Sequence, residues 1–416
     1  MKNKFKLFGI IAIIAIIGLE VPGCDNGSTN DSSDESLNIE YGWYGNGSAS
    51  TFTISNASQL AEFAKIVSGE TGRDGPAQSD FKGKTVTLSA DINLTDQWVS
   101  IGNASPNPYP FAGTFDDNGK TISGLYYFNT YGRSGGLFYT VGEGGMVKNI
   151  VLTDIDITFG FSGGGVVNVN YGTVQNCYVT GNINGSLHVG GVVGTNYGMV
   201  QNCSFSGNVT GDLERVGGIV GQNIGGDSDI GMVRNCYATG TVTSSGSSFI
   251  GGVVGYNNRG TVQNCYSTSS VDGYQNQVGG VVGGNLGMVQ NCYATGSITG
   301  SWYVGGVVGD NRNGAIDGTI RNSVALNSSI SASSINNYVL GRISNNYSSN
   351  FTNNYALSGM VMRSGYTIVP DAGGPDGADV SAGEATTQNW WTTAVNWDFN
   401  TVWEWDSARN LPKLRM

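Results

Sequence analysis

The chain is 416 residues long, with 66 glycines, only 12% charged residues and a net charge of −11. Hydrophobic residues make up 39% and recur periodically, which excludes a disordered chain. The acidic balance argues against nucleic acid as a partner, and the wealth of glycine, asparagine and serine favours tight turns and short strands over helices.

Lys2, Lys4 and Lys6 precede an apolar run over residues 7–19, the layout of an export signal too short for a comfortable membrane span. The following Val21-Pro22-Gly23-Cys24 resembles the lipobox of bacterial lipoproteins, with an ordinary cleaved signal as the alternative. Residues 1–23 are therefore expected to be a lipoprotein signal peptide, with Cys24 lipidated and the membrane a partner through that lipid. Loss of residues 1–23 removes three lysines and one glutamate, moving the charge from −11 to −13. Residues 24–40 are polar and acidic and read as a flexible tether.

Residues 41–81 read as an N-terminal cap with one helix. Asn56 is a good N-cap with Gln59 three residues on, Ala57, Leu60, Ala61, Phe63, Ala64 and Val67 mark an apolar face, and Gly69 ends it. From residue 82 to 365 the text alternates apolar and polar residues and breaks at glycine, as short half-buried strands do.

Within it one phrase repeats, most regularly over residues 163–327: VGGVVGTNYGMVQNCSFSGNVTG from Val189, and VGGVVGGNLGMVQNCYATGSITG from Val278. Its cysteines, Cys177, Cys203, Cys236, Cys265 and Cys292, are 26, 33, 29 and 27 residues apart. Self-similarity at that period marks a solenoid, with room for about three strands per coil. The fold class expected is all-β, a right-handed parallel β-helix.

Val174 and Cys177 should both face inward although three apart, which a straight strand forbids. A left-handed bend at Asn176 resolves this, and stacking then places Asn176, Asn202, Asn235, Asn264 and Asn291 in a column of bonded, buried amides. The VGxN words imply a second column through Asn170, Asn196, Asn223, Asn257, Asn285 and Asn311. Paired glycines such as Gly190-Gly191 are expected to supply turn conformations barred to other residues. The cysteines, replaced by Ile150 and Ser323 at either end, read as buried free thiols.

Tyr178, Tyr237, Tyr266 and Tyr293 follow the cysteines and should form an outward stripe. It is a candidate ligand surface that stacks either on sugars or on itself. Residues 366–416 read as a C-terminal cap in which Trp390, Trp391, Trp397, Trp403 and Trp405 cover the open end, with glycan binding as the alternative. Asp371, Asp376 and Asp379 offer a weak calcium site, the sole cofactor indicated.

The words GGVVGxNxGxVQNCYATG resemble the GLUG motif, with valine or isoleucine in place of the leucine in Gly191-Val192-Val193-Gly194 and Gly218-Ile219-Val220-Gly221. The resemblance implies an exported, bacterial, adhesin-like β-solenoid, some of whose relatives are metallo-endopeptidases that cleave immunoglobulin A. That activity is not expected here, because a His-Glu-x-x-His helix is missing and His188, the sole histidine, reads as a solvated loop residue. Asp116-Asp117 and Asp227-Ser228-Asp229 keep open a carbohydrate-active enzyme. The reading preferred is a lipid-anchored, non-catalytic binding or structural module at the cell surface or outer membrane, facing a host or envelope glycan or protein, with no catalytic or metal residues.

Overall fold

The structure is a computed structural model that describes residues 41–416 apart from 103–108, 130–132, 227–229, 247–248, 275–276, 314–315, 334–339 and 346–349. The expectations for the signal peptide, the tether, Cys24 and the Asp227-Ser228-Asp229 loop lie outside the described residues.

The helix Ala57–Ser68 starts as its capping residues dictate. Asn56 accepts from the Gln59 amide, and Gly69 closes the helix at φ 70°. Its apolar side covers the first coils. Phe63 stacks on Phe115 with ring centres 5.7 Å apart and meets Phe81, Phe111 and Phe138 edge-on.

Residues 189–211 show one coil. Val189–Gly190, Val193–Asn196, Met199–Gln201 and Ser204–Gly211 are its strands. Each pairs in parallel with its counterpart one repeat on: Val189 with Val216, Val193 with Val220, Met199 with Met232, Ser204 with Tyr237. The chain thus winds through four parallel sheets, with 7, 7, 11 and 15 strands among the described residues. The molecule is a parallel β-solenoid.

Four strands per coil, not three, is a correction with a specific cause. The extra strand is the two-residue Val-Gly step, and the glycine pair makes it possible. A Cβ on Gly190 would lie 2.0 Å from the Val193 carbonyl oxygen, and one on Gly191 would lie 2.1 Å from that of Gly218. Neither glycine has a positive φ. Glycine is required there for close approach of backbone, within the coil at Gly190 and between coils at Gly191, not for a left-handed turn.

Inside, Val174, Val200, Val233, Val262 and Val289 form a fully buried ladder. Burying each such side chain contributes about 1.5–3 kcal/mol. The coils run past the expected limits of 82–365 at both ends. Thr51–Ile54 pairs with Thr85–Leu88, and Ala378–Val380 pairs with Tyr355–Leu357.

Candidate functional site

The repeat's asparagine–cysteine pair is structural. Asn149, Asn176, Asn202, Asn235, Asn264, Asn291, Asn322 and Asn353 all take φ between 49° and 59°. This left-handed bend turns the following cysteine inward. From Asn176 to Asn291 each amide donates to the one a coil earlier, as Asn202 does to Asn176 at 3.0 Å and Asn291 to Asn264 at 3.0 Å, and Asn353 donates to Asn322. The first in line, Asn149, donates to Asp116.

This column sits at an outer corner. Only Asn264 in it is buried, and Asn176 is exposed. The expected burial therefore belongs to the second column. Asn170, Asn196, Asn223, Asn257, Asn285 and Asn311 are at most 1% exposed and are linked amide to amide at 2.7–2.8 Å.

Cys177, Cys203, Cys236, Cys265 and Cys292 are buried and free. Their sulfurs lie 3.1–3.3 Å from the carbonyl two residues earlier. Burial pushes the Cys177, Cys236 and Cys292 thiols up, away from the reactive thiolate.

The tyrosine stripe needs correction. Tyr237, Tyr266 and Tyr293 do stack, with ring centres 4.9 Å apart, but Tyr266 is 2% exposed and Tyr293 fully buried. Trp391, Trp397 and Trp403 pack over them, in a hydrophobic cluster separate from the solenoid interior. Tyr293 donates to the Pro412 carbonyl at 2.7 Å. The tryptophans thus clamp the outer face of the 15-stranded sheet. The tail thereby buries the rings of Tyr266 and Tyr293. Tyr178 stays exposed and Tyr237 half-buried.

The three aspartates named for calcium each have protein partners. Asp379 accepts from the buried Arg342 guanidinium at 2.6 Å, and Asp376 accepts from the Arg342 backbone amide, Tyr366 and Val369. Asp371 accepts from the Gly373 amide. The three carboxylates are spent on separate internal partners, and among the described residues no group of three or more metal-ligating side chains occurs. Asp116 and Asp117 are engaged likewise: Asp116 pairs with Lys148 at 3.0 Å, and buried Asp117 accepts from the Val151 and Gly119 amides. Burial pushes the Asp117 carboxyl up to about 6.

What varies from coil to coil lies elsewhere, along a stripe whose first positions are half-buried and whose second positions are mostly buried. Two positions change from coil to coil, the residue before VGG and the residue after VVG, seven apart: His188 and Thr195, Arg215 and Gln222, Phe249 and Tyr256, Gln277 and Gly284, Tyr303 and Asp310. His188 Nδ1 is 3.0 Å from Thr195 Oγ1, Arg215 Nη1 donates to Gln222 at 3.0 Å, and the Phe249 and Tyr256 rings are 4.4 Å apart. Contacts also run between coils. Arg215 Nη1 donates to His188 Nε2 at 2.6 Å, and its guanidinium lies 5.5 Å from the Tyr256 ring centre. A Cβ on Gly284 would lie 2.4 Å from the Phe249 ring.

The backbone is held against its preference along this stripe. Arg215, Gln277 and Tyr303 have φ of 61°, 41° and 52°. A left-handed conformation costs a non-glycine residue roughly 1–2 kcal/mol, yet side chains are kept where glycine would be relaxed.

His188 is not a solvated loop residue. Burial and the Arg215 charge pull its pKa down to about 4. The neutral ring accepts from Arg215 on Nε2, so its proton sits on Nδ1 and is donated to Thr195. Beside it, at the N-terminal end of the stripe, opens a cleft of about 660 Å³ lined by Tyr139, Phe161, Ser162, Asn168 and Tyr171 among others.

Residues 185–210, 212–243 and 274–299 match the GLUG motif. Three stretches of the repeat array thus match that motif. Halomucin from Haloquadratum walsbyi is 33% identical over 200 residues, covering 41% of this chain and 2% of that protein. This chain therefore spans a small fraction of that relative's length. A crystal structure named as a candidate immunoglobulin A1 protease from Bacteroides ovatus aligns over 88% of this chain and 92% of that one, at 20% identity and a TM-score of 0.45. That likeness is too distant to transfer an activity.

The variable stripe went unread in the sequence, although a signal for it was there. Within each coil the VGGVVG word is nearly constant, while the position before it runs through histidine, arginine, phenylalanine, glutamine and tyrosine, and the one after it through threonine, glutamine, tyrosine, glycine and aspartate. Positions that vary inside a constant word are those the fold does not need.

Proposed function

We propose that this chain is an exported, lipid-anchored, non-catalytic binding module, adhesin-like in role, that presents the stripe through His188, Arg215, Phe249, Gln277 and Tyr303 to a host or envelope glycan or protein. The observation that carries the reading is the division of labour within each GLUG coil. Valines, glycines, cysteines and asparagines are used up in stacking, and the side chains that differ from coil to coil gather along one half-buried line. Repeat proteins use such lines as extended binding surfaces. Against a carbohydrate-active enzyme stands the cleft's lining, where Glu143 is the one carboxylate among the described residues, since glycoside hydrolysis takes a pair.

Binding of the full chain to a glycan and matrix-protein array, lost in an Arg215→Ala/Phe249→Ala/Gln277→Ala variant, supports the module. Release of product from acidic polysaccharides would overturn the non-catalytic reading. Palmitate labelling tests Cys24, and secretion of the unlabelled chain removes the anchor.

A further inference from the structure

The cleft beside His188 combines two features that together call for a ligand. Its walls are aromatic and partly open to solvent. Phe161 is 46% exposed and Tyr171 44%, and Tyr171 lies flat on Tyr197 with ring centres 4.7 Å apart and planes 7° apart. Its lining also keeps two polar atoms unspent. Asn168 is 3% exposed and Ser162 6%, and neither Asn168 Oδ1 nor Ser162 Oγ has a hydrogen-bond partner within the protein. A buried polar atom without a partner costs about 1–3 kcal/mol, so a fold that keeps two of them in one hollow gains when a ligand supplies donors and acceptors there.

The charge of the hollow narrows the ligand. His188 is neutral, the Arg215 guanidinium is turned to His188 and Gln222, and Glu143 is the charged side chain of the lining. Nothing there would draw a sulfate or a uronate, and Glu143 would repel one. Flat aromatic faces suit the C–H faces of a pyranose ring, and an amide oxygen and a hydroxyl suit its hydroxyl groups. The volume of about 660 Å³ falls within the roughly 300–1,000 Å³ of small-molecule sites.

We propose that the cleft formed by Phe161, Tyr171, Asn168 and Ser162 is a binding site for a neutral saccharide, the end or a short stretch of an uncharged glycan. The assignment rests on the binding reading above and adds the ligand class and the place. The walls grip the ring by stacking, and the amide and hydroxyl fix its orientation. The stripe running from His188 onward continues the contact surface coil by coil.

The test is an array of neutral, amino, sulfated and uronic-acid glycans together with matrix proteins, probed with the full chain, followed by titration calorimetry with the best neutral glycan. Binding of neutral glycans is expected. Tyr171→Ala and Phe161→Ala, both at exposed positions, should each weaken it roughly tenfold, and so should Asn168→Ala, as loss of a stacking face or a buried hydrogen bond does. Tyr274→Ala, a 73% exposed tyrosine on another coil, should leave it unchanged. A chain that binds only acidic glycans or only proteins overturns the saccharide assignment and leaves the module standing. So does neutral-glycan binding that ignores the Tyr171 and Phe161 changes. A chain that binds nothing on the array overturns both.

Discussion

Arg215 Nη1 lies 2.6 Å from Nε2 of His188, one coil away, so a fixed cation is bonded to a ring that must stay neutral. The His188 pKa, near 6.5 in an unfolded chain, falls to about 4 in the fold. Between these values the unfolded chain binds the extra proton, so this contribution is whole above pH 6.5 and is lost as pH falls toward 4. Asp117 works the other way. Its pKa rises from 3.8 to about 6, so its contribution is whole below 3.8 and is lost as pH rises through 6. Each is worth on the order of 2 kcal/mol once partial solvent screening is allowed for. The two slopes oppose each other between about pH 4 and 6. Melting temperatures across that range should slope upward with pH more steeply in Asp117→Asn than in the parent, and more steeply downward in His188→Gln. Parallel curves for parent and variants would contradict both assignments.

The two asparagine columns should respond differently to substitution. Asn223 accepts from Asn196 and donates to Asn257 and the Gly231 carbonyl, all out of water. Asn223→Ala should cost about 2–4 kcal/mol, because it strands groups that cannot reach solvent. Asn202→Gly keeps the left-handed bend at a half-exposed corner and should cost under about 1 kcal/mol. Urea denaturation of the two variants checks the order.

Gly191→Ala would put a Cβ 2.1 Å from the Gly218 carbonyl oxygen and 2.5 Å from the Phe205 ring. The coils cannot separate locally without breaking their ladders, so a loss of more than about 3 kcal/mol is expected. Gly226→Ala, where no atom lies within 4 Å of the new Cβ, is the matched control and should be neutral in the same thermal melt.

The thiols give a chemical readout. Maleimide should leave Cys177, Cys203, Cys236, Cys265 and Cys292 unlabelled in the native chain and label all five in denaturant, with reductant making no difference. Cys265→Ser should cost only about 1 kcal/mol. Serine already occupies this column at Ser323, whose Oγ receives the Cys292 amide at 3.3 Å.

Truncation after residue 381 should strip the tryptophans from Tyr266 and Tyr293. The parallel ladders survive in this variant, because the last of them ends at Val380. The bared aromatic row should bind a hydrophobic dye and promote association, seen as a rise in dye fluorescence with little change in far-ultraviolet circular dichroism.

The sequence made the bend at Asn176 legible, because Val174 and Cys177 cannot both face inward on a straight strand. It hid the fourth strand, because a Val-Gly step of two residues has no alternation to read. Its repeat located the tyrosine row but could not say what lies over it. Tyr293 and Pro412 are 119 residues apart, and no periodicity links the tail to the coils. His188 was misread for a related reason: its partner Arg215 stands one coil on, a neighbour only after stacking. The asparagine columns were both visible, yet which one is dry depends on where each corner falls relative to the loops.

In-register pairing also separates length from recognition. The hollow near Tyr171 and the tryptophan clamp over Tyr293 sit on different coils, and the 33-residue step between Cys203 and Cys236 shows that the chain between them absorbs extra residues. Duplicating one whole GLUG unit there would move the two ends apart by a single inter-strand spacing, about 4.8 Å, and leave both intact. A lineage carrying this scaffold can therefore change its length by copying a segment of its gene without disturbing either feature.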